Sequence, residues 1–125
     1  MRLSLALAIG AGVLLHALTF LFRASNGASS FFVGLLAFSL APYAVAALLA
    51  CFRRTVPAAL GFALAVLAGD LFAVYWVYVA SRGSMSGYLF LAMPAVNLLA
   101  LGPLGALLFW IGAKLIRRRS EENVA

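Results

Sequence analysis

Residues 56–80 read VPAALGFALAVLAGDLFAVYWVYVA, twenty-five positions with a single charged residue, Asp70. An α-helix needs about 20 apolar residues to cross a hydrocarbon core about 30 Å thick. Within hydrocarbon every backbone N–H and C=O must be satisfied inside its own segment, so a run like this one is a helix. Pro57 falls in its first turn, where a missing N–H costs little, and Thr55 stands where an N-cap belongs. Residues 56–80 are therefore expected to form a membrane-spanning helix that carries one buried carboxyl.

Three more runs of the same kind flank it: residues 3–22, 31–52 and 88–115. None shows the strict alternation of a membrane β-barrel strand. The separators are short and rich in turn formers. Residues 23–30 (RASNGASS) and 81–87 (SRGSMSG) are small and polar, with Ser30 a candidate cap. Arg53-Arg54-Thr55 is short enough to make the second and third helices antiparallel neighbours. The polar tail 117–125 is expected to fray. The fold class that follows is all-α: one membrane domain over residues 1–125, an integral four-helix up-down bundle.

Composition agrees. Of 125 residues 66% are hydrophobic and only 10% charged, with a mean hydropathy of +1.13. Soluble domains carry about 25% charged residues. A net charge of +6 could suggest nucleic acid, but the basic residues stand at the ends of apolar runs. With the N-terminus inside, the cytoplasmic face collects Arg2, Arg53, Arg54, Lys114, Arg117, Arg118 and Arg119, and the far face only Arg23 and Arg82. Seven against two is the positive-inside bias that sets N-in/C-in topology. Arg53, Arg54, Lys114, Arg117, Arg118 and Arg119 read as a cytoplasmic anchor; Glu121 and Glu122 dilute any lipid-binding patch there. Met1-Arg2 before an apolar run resembles a signal peptide, but the run is long and no convincing cleavage site follows, so retention as a helix is expected. The bias and the lack of sorting motifs suit a bacterial inner membrane.

Chemistry, if any, must involve the polar residues inside the apolar runs. A central aspartate costs about 2.5 to 3.5 kcal/mol on insertion scales, so a partner for Asp70 is expected. Its face carries Ala59, Ala63, Val66, Ala73 and Val77, and the small residues there permit close helix contact. His16, on a face with Ala8 and Gly12, Ser39 and Tyr43 on the second run, and Asn97 on the fourth lie at similar depth. They are expected to form one hydrogen-bonded layer with Asp70. Such a layer often does no more than fix helix register. Its functional alternative is a proton or cation relay. Pro42, Pro94 and Pro103 interrupt the runs, and Gly102-Pro103 with Gly105 is the best place for a broken helix. Tolerated kinks are the expectation, because neighbouring groups re-satisfy the freed carbonyls. Gly61, Ala65 and Ala68 present a second small-residue face that would suit docking of a partner.

No catalytic residues, cofactor or metal site are expected: there is no phosphate loop, no paired carboxylates and one cysteine, Cys51. In size and helix count the chain resembles the small multidrug-resistance transporters and the small fluoride channels. It departs from the first in offering only His16 where that family carries a first-helix glutamate. The Asn and Phe pattern of the second is absent, and the basic bias argues against the dual insertion known in both, so no family is assigned. The expected function is that of a non-enzymatic accessory or structural membrane component. The alternative is a small proton- or cation-coupled transporter or channel, with Asp70 as the binding carboxylate and His16 and Asn97 in support. The bilayer, and a membrane-protein partner or a second copy, are the expected neighbours.

Overall fold

The computed structural model describes residues 1–24, 30–80 and 86–123. The expected turns at 25–29 and 81–85, Arg82 among them, and the last two residues lie outside the described residues. All described elements are helical: α1 (Arg2–Ala24), α2 (Ser30–Ala50), a 3-10 turn (Arg53–Thr55), α3 (Val56–Tyr75) continuing as a π-helical segment (Trp76–Ala80), α4 (Ser86–Val96), a second π segment (Asn97–Leu101), and α5 (Gly102–Glu122). Four of the helical stretches are long and apolar enough to cross a membrane, which fits a small membrane protein. Most of their large apolar side chains point outward, among them Leu7, Leu14, Phe31, Leu48, Leu71, Leu99 and Leu108.

The third stretch is the axis of the bundle. Half of its apolar window is buried inside the protein, against 17%, 22% and 11% for the others. Its buried residues include Ala59, Ala63, Val66, Asp70, Ala73 and Val77, the face that a 3.6-residue period marks out. α3 packs against α1, α2 and, most extensively, α5. Contacting numbers fall on α5 as they rise on α3: Gly61 meets Gly105, Phe62 meets Gly102 and Gly69 meets Asn97. α1 runs alongside α3 in the same sense, since His16 meets Asp70 and Thr19 and Phe22 share a cleft with Val74 and Tyr78.

The Gly61–Gly105 crossing corrects the expected docking face. A Cβ on Gly61 would collide with the Gly105 carbonyl and stand 2.6 Å from Phe109 Cβ, and Ala65 Cβ meets Gly105 in turn. Two of the three small residues are thus consumed by contact between α3 and α5; Ala68 alone stays exposed. Backbones approach this closely only where side chains are absent, which is the use small residues have in membrane interfaces.

Other details differ from expectation for local reasons. Thr55 does not cap α3; its hydroxyl turns back to the Leu49 carbonyl and to that of Phe52 at 3.0 Å, and so ties off the end of α2. Ser30 is the first residue of α2 and not a cap before it. The fourth run does not break at its prolines. Gly102 N–H bonds to Asn97 O, a π register through which the helix passes on into α5. The helix also runs to Glu122, where a frayed tail was expected from Arg117.

Substitutions at the crossing should be costly. Gly61→Val or Gly105→Val should lower stability by about 1 to 3 kcal/mol through overpacking. Gly10→Ala and Gly112→Ala, where an added Cβ meets nothing within 4 Å, should be neutral or stabilising by up to about 1 kcal/mol. Thermal unfolding of the purified variants in one detergent compares the two pairs.

Candidate functional site

Asp70 lies ten residues before Ala80, the end of its span, or about 15 Å at helical rise. Its side chain is buried, with 4% exposure. It faces three other helical stretches, and each places a polar group against it. The Tyr43 hydroxyl of α2 donates to Oδ2 at 2.6 Å, and Asn97 Nδ2, at the start of the second π segment, donates to Oδ1 at 2.6 Å. His16 Nε2 of α1 lies 3.0 Å from Oδ2.

Backbone glycines make these approaches possible. Tyr43 reaches Asp70 by lying across α1 at Gly12, where a Cβ would overlap its ring. The His16 and Tyr43 rings meet edge to face, with centroids 5.9 Å apart. Asn97 is held against Gly69, where an added Cβ would stand 2.5 Å from its Oδ1 and 2.7 Å from the Leu101 side chain. Gly12 was noticeable as part of a small-residue face; the role of Gly69 was not. Its signal was its place directly before Asp70 in the chain. The π register starting at Asn97 widens the turn that carries the amide. Such bulges are frequent where a helix must aim a side chain.

Of the five residues expected in the layer, Asp70, His16, Tyr43 and Asn97 are joined by direct hydrogen bonds. Ser39 is buried one turn before Tyr43 but makes no bond to the carboxylate. Among the described residues, basic side chains share two clefts. Arg54 of the 3-10 turn shares a cleft with Lys114 and Arg117 of α5, and Arg2 shares another with Ala50 and Cys51.

Chemically, the Asp70 cluster is a carboxylate enclosed by donors. Tyr43 and Asn97 present hydrogens to it, and His16 does so whenever Nε2 is protonated. A cation site needs the opposite, a set of oxygen acceptors. Among the described residues no group of three or more His, Cys, Asp and Glu is assembled. The pair Asp70 and His16 can hold one proton between them with no net charge. Both other states, carboxylate with neutral imidazole or acid with imidazolium, leave a charge in an apolar span. The Asn97 amide suits either location of that proton. Its Oδ1 is buried without a partner, and a flip would offer that oxygen to a protonated Oδ1 of Asp70. His16 is the least enclosed member, with 13% side-chain exposure. Next to it a cleft of 610 Å³ opens between α1 and α3, lined by Leu15, Leu18, Thr19, Phe22, Val74 and Tyr78.

Asp70→Ala should strand the donors of Tyr43, Asn97 and His16 and destabilise the fold by about 3 kcal/mol or more, at about 1 to 3 kcal/mol for each unpaired buried group. Ser39→Ala should change stability by less than about 0.5 kcal/mol. A double-mutant cycle of Tyr43→Phe with Asp70→Ala, read by unfolding in detergent, should return a coupling near 1 kcal/mol. No family model matches the chain, and no curated protein or solved structure does either.

Proposed function

We propose that this chain is a multi-pass membrane protein, an up-down bundle with both termini in the cytoplasm, whose Asp70 layer ties the four helical spans in one register and carries no catalysis. It acts as a structural or accessory component of its membrane, a bacterial inner membrane being the setting that the positive-inside pattern suits. The observation that carries this reading is the saturation of Asp70. One carboxyl group takes polar partners from α1, α2 and the fourth span at 3.0, 2.6 and 2.6 Å. Removing any one span leaves polar groups unpaired in hydrocarbon, so the cluster penalises every arrangement but one. Register and orientation are the best-attested uses of such a buried polar group.

The exposure of His16 and the cleft beside it favour a second reading, proton transfer through Asp70 and His16. Liposomes containing a pH-sensitive dye separate the two. For a structural tie, wild type and Asp70→Asn acidify at the rate of protein-free liposomes, and Asp70→Asn remains monodisperse because an amide still pairs with Tyr43 or Asn97. Pronounced proton flux in wild type that Asp70→Asn abolishes would move the assignment to a transporter.

Orientation has its own reporter in Cys51, the chain's single cysteine, exposed at the end of α2. A membrane-impermeant maleimide should label it in inside-out vesicles and leave it unlabelled in intact spheroplasts. The reverse pattern would invert the topology.

A further inference from the structure

The cleft between the α2–α3 turn and the last turns of α5 is built for an anion. Arg54, Lys114 and Arg117 line it together with Pro57, Trp110 and Ala113, around a volume of 390 Å³. Lys114 Nζ lies 5.1 Å from the centre of the Trp110 ring, which holds the ammonium at the cleft by a cation–π contact. Among the described residues the one ion pair is that of His16 with Asp70, so these three cations have no carboxylate partner. Glu121 and Glu122 follow on α5 but do not line the cleft.

The start of α3 adds to the same field. Its first turn carries no acidic residue and no side-chain cap, because the Thr55 hydroxyl is engaged with α2 carbonyls. The positive end of a 20-residue helix therefore remains uncompensated beside Arg54. On the membrane side of Trp110 the same stripe of α5 exposes Leu107 and Pro103, an apolar lane leading away from the cations. A charged phosphate above an apolar lane is the outline of a lipid molecule and not of a soluble anion.

We propose that this cleft binds the phosphodiester headgroup of an anionic membrane lipid, with Arg54, Lys114 and Arg117 as phosphate ligands and the acyl chains along the outer face of α5. Two distant parts of the chain, the α2–α3 turn and the end of α5, are thereby clasped by one lipid. This differs from a diffuse cytoplasmic anchor, in which Arg118 and Arg119 would serve as well.

Trp110 reports on the cleft directly. The chain has two tryptophans, so Trp76→Phe leaves Trp110 as the single emitter. The full-length variant is reconstituted in phosphatidylcholine vesicles containing phosphatidylglycerol, with bromine quenchers on the acyl chains of one lipid and then of the other. Trp110 should be quenched preferentially by brominated phosphatidylglycerol, with a relative affinity about tenfold or more above that of phosphatidylcholine, given about fivefold per cation near a surface. Arg54→Gln with Arg117→Gln should bring that preference close to unity. Arg118→Gln with Arg119→Gln removes the same charge outside the cleft and should leave it within about twofold. Equal loss in both double variants would overturn the proposal in favour of diffuse attraction, and no preference in the parent would overturn it outright. Competition by millimolar inorganic phosphate, at constant ionic strength, would reassign the cleft to a soluble anion.

Discussion

A carboxyl group within an apolar span needs either a proton or a shell of donors, and the packing of this bundle follows from how Asp70 acquires them. Insertion of the residue costs about 2.5 to 3.5 kcal/mol. Hydrogen bonds between helices in lipid average well below that each, about 0.6 kcal/mol by double-mutant cycles. A single partner would offset only a small part of that cost, and three, at about 1.8 kcal/mol together, offset more than half of it. Asp70 accordingly has three, one from each of the other spans, and α3 has to be the axis because only an axial helix touches all three. Packing and electrostatics thus select the same arrangement.

The donors can converge only if the backbones come close, and that requirement explains where the glycines are. Gly12 admits the ring of Tyr43, Gly69 admits the amide of Asn97, and Gly61 with Gly105 brings α5 against α3 two turns below Asp70. Lipid offers no hydrophobic drive to push helices together, so close contact between small residues must supply the attraction. The π segment at Asn97–Leu101 serves the same convergence. Gly102 N–H serves Asn97 O in the same widened turn that presents the Asn97 side chain to Asp70.

The spans were legible in residues 3–22, 31–52, 56–80 and 88–115 because hydropathy acts over twenty residues and tolerates local error. The inward face of α3 was legible too: Ala59, Ala63, Val66, Ala73 and Val77 repeat with the period of Asp70, and all are buried. Similar depth alone put His16, Tyr43 and Asn97 near Asp70, yet it put Ser39 there equally. Ser39 and Tyr43 share one face of α2, one turn apart in depth, and which of them meets Asp70 depends on the ring that fits over Gly12, a pairwise fit invisible in one chain's pattern. Gly61 and Ala65 failed as an exposed face for a related reason: a small-residue face announces close contact but does not say whether the contact is inside the molecule. Thr55 misled because a hydroxyl before a helix has two sets of backbone partners, and the short turn brought the α2 carbonyls nearer.

The kind of shell around Asp70 limits what the site can be. Tyr43 and Asn97 point hydrogens at the carboxylate, so a sodium or calcium ion arriving there would meet positive dipoles on every approach and would have to displace all three partners to gain one ligand. A proton meets no such obstacle. It can pass between His16 and Asp70 across 3.0 Å without changing the charge of the cluster, and the Asn97 amide can turn to match. Gaining or losing a proton, however, leaves a net charge among Ala63, Val66 and Ala73, which are sealed. The same enclosure that makes the cluster a strong tie therefore opposes turnover, and only the partly open side at His16 could relieve it. Satisfied partners and confined charge thus support the structural tie proposed above.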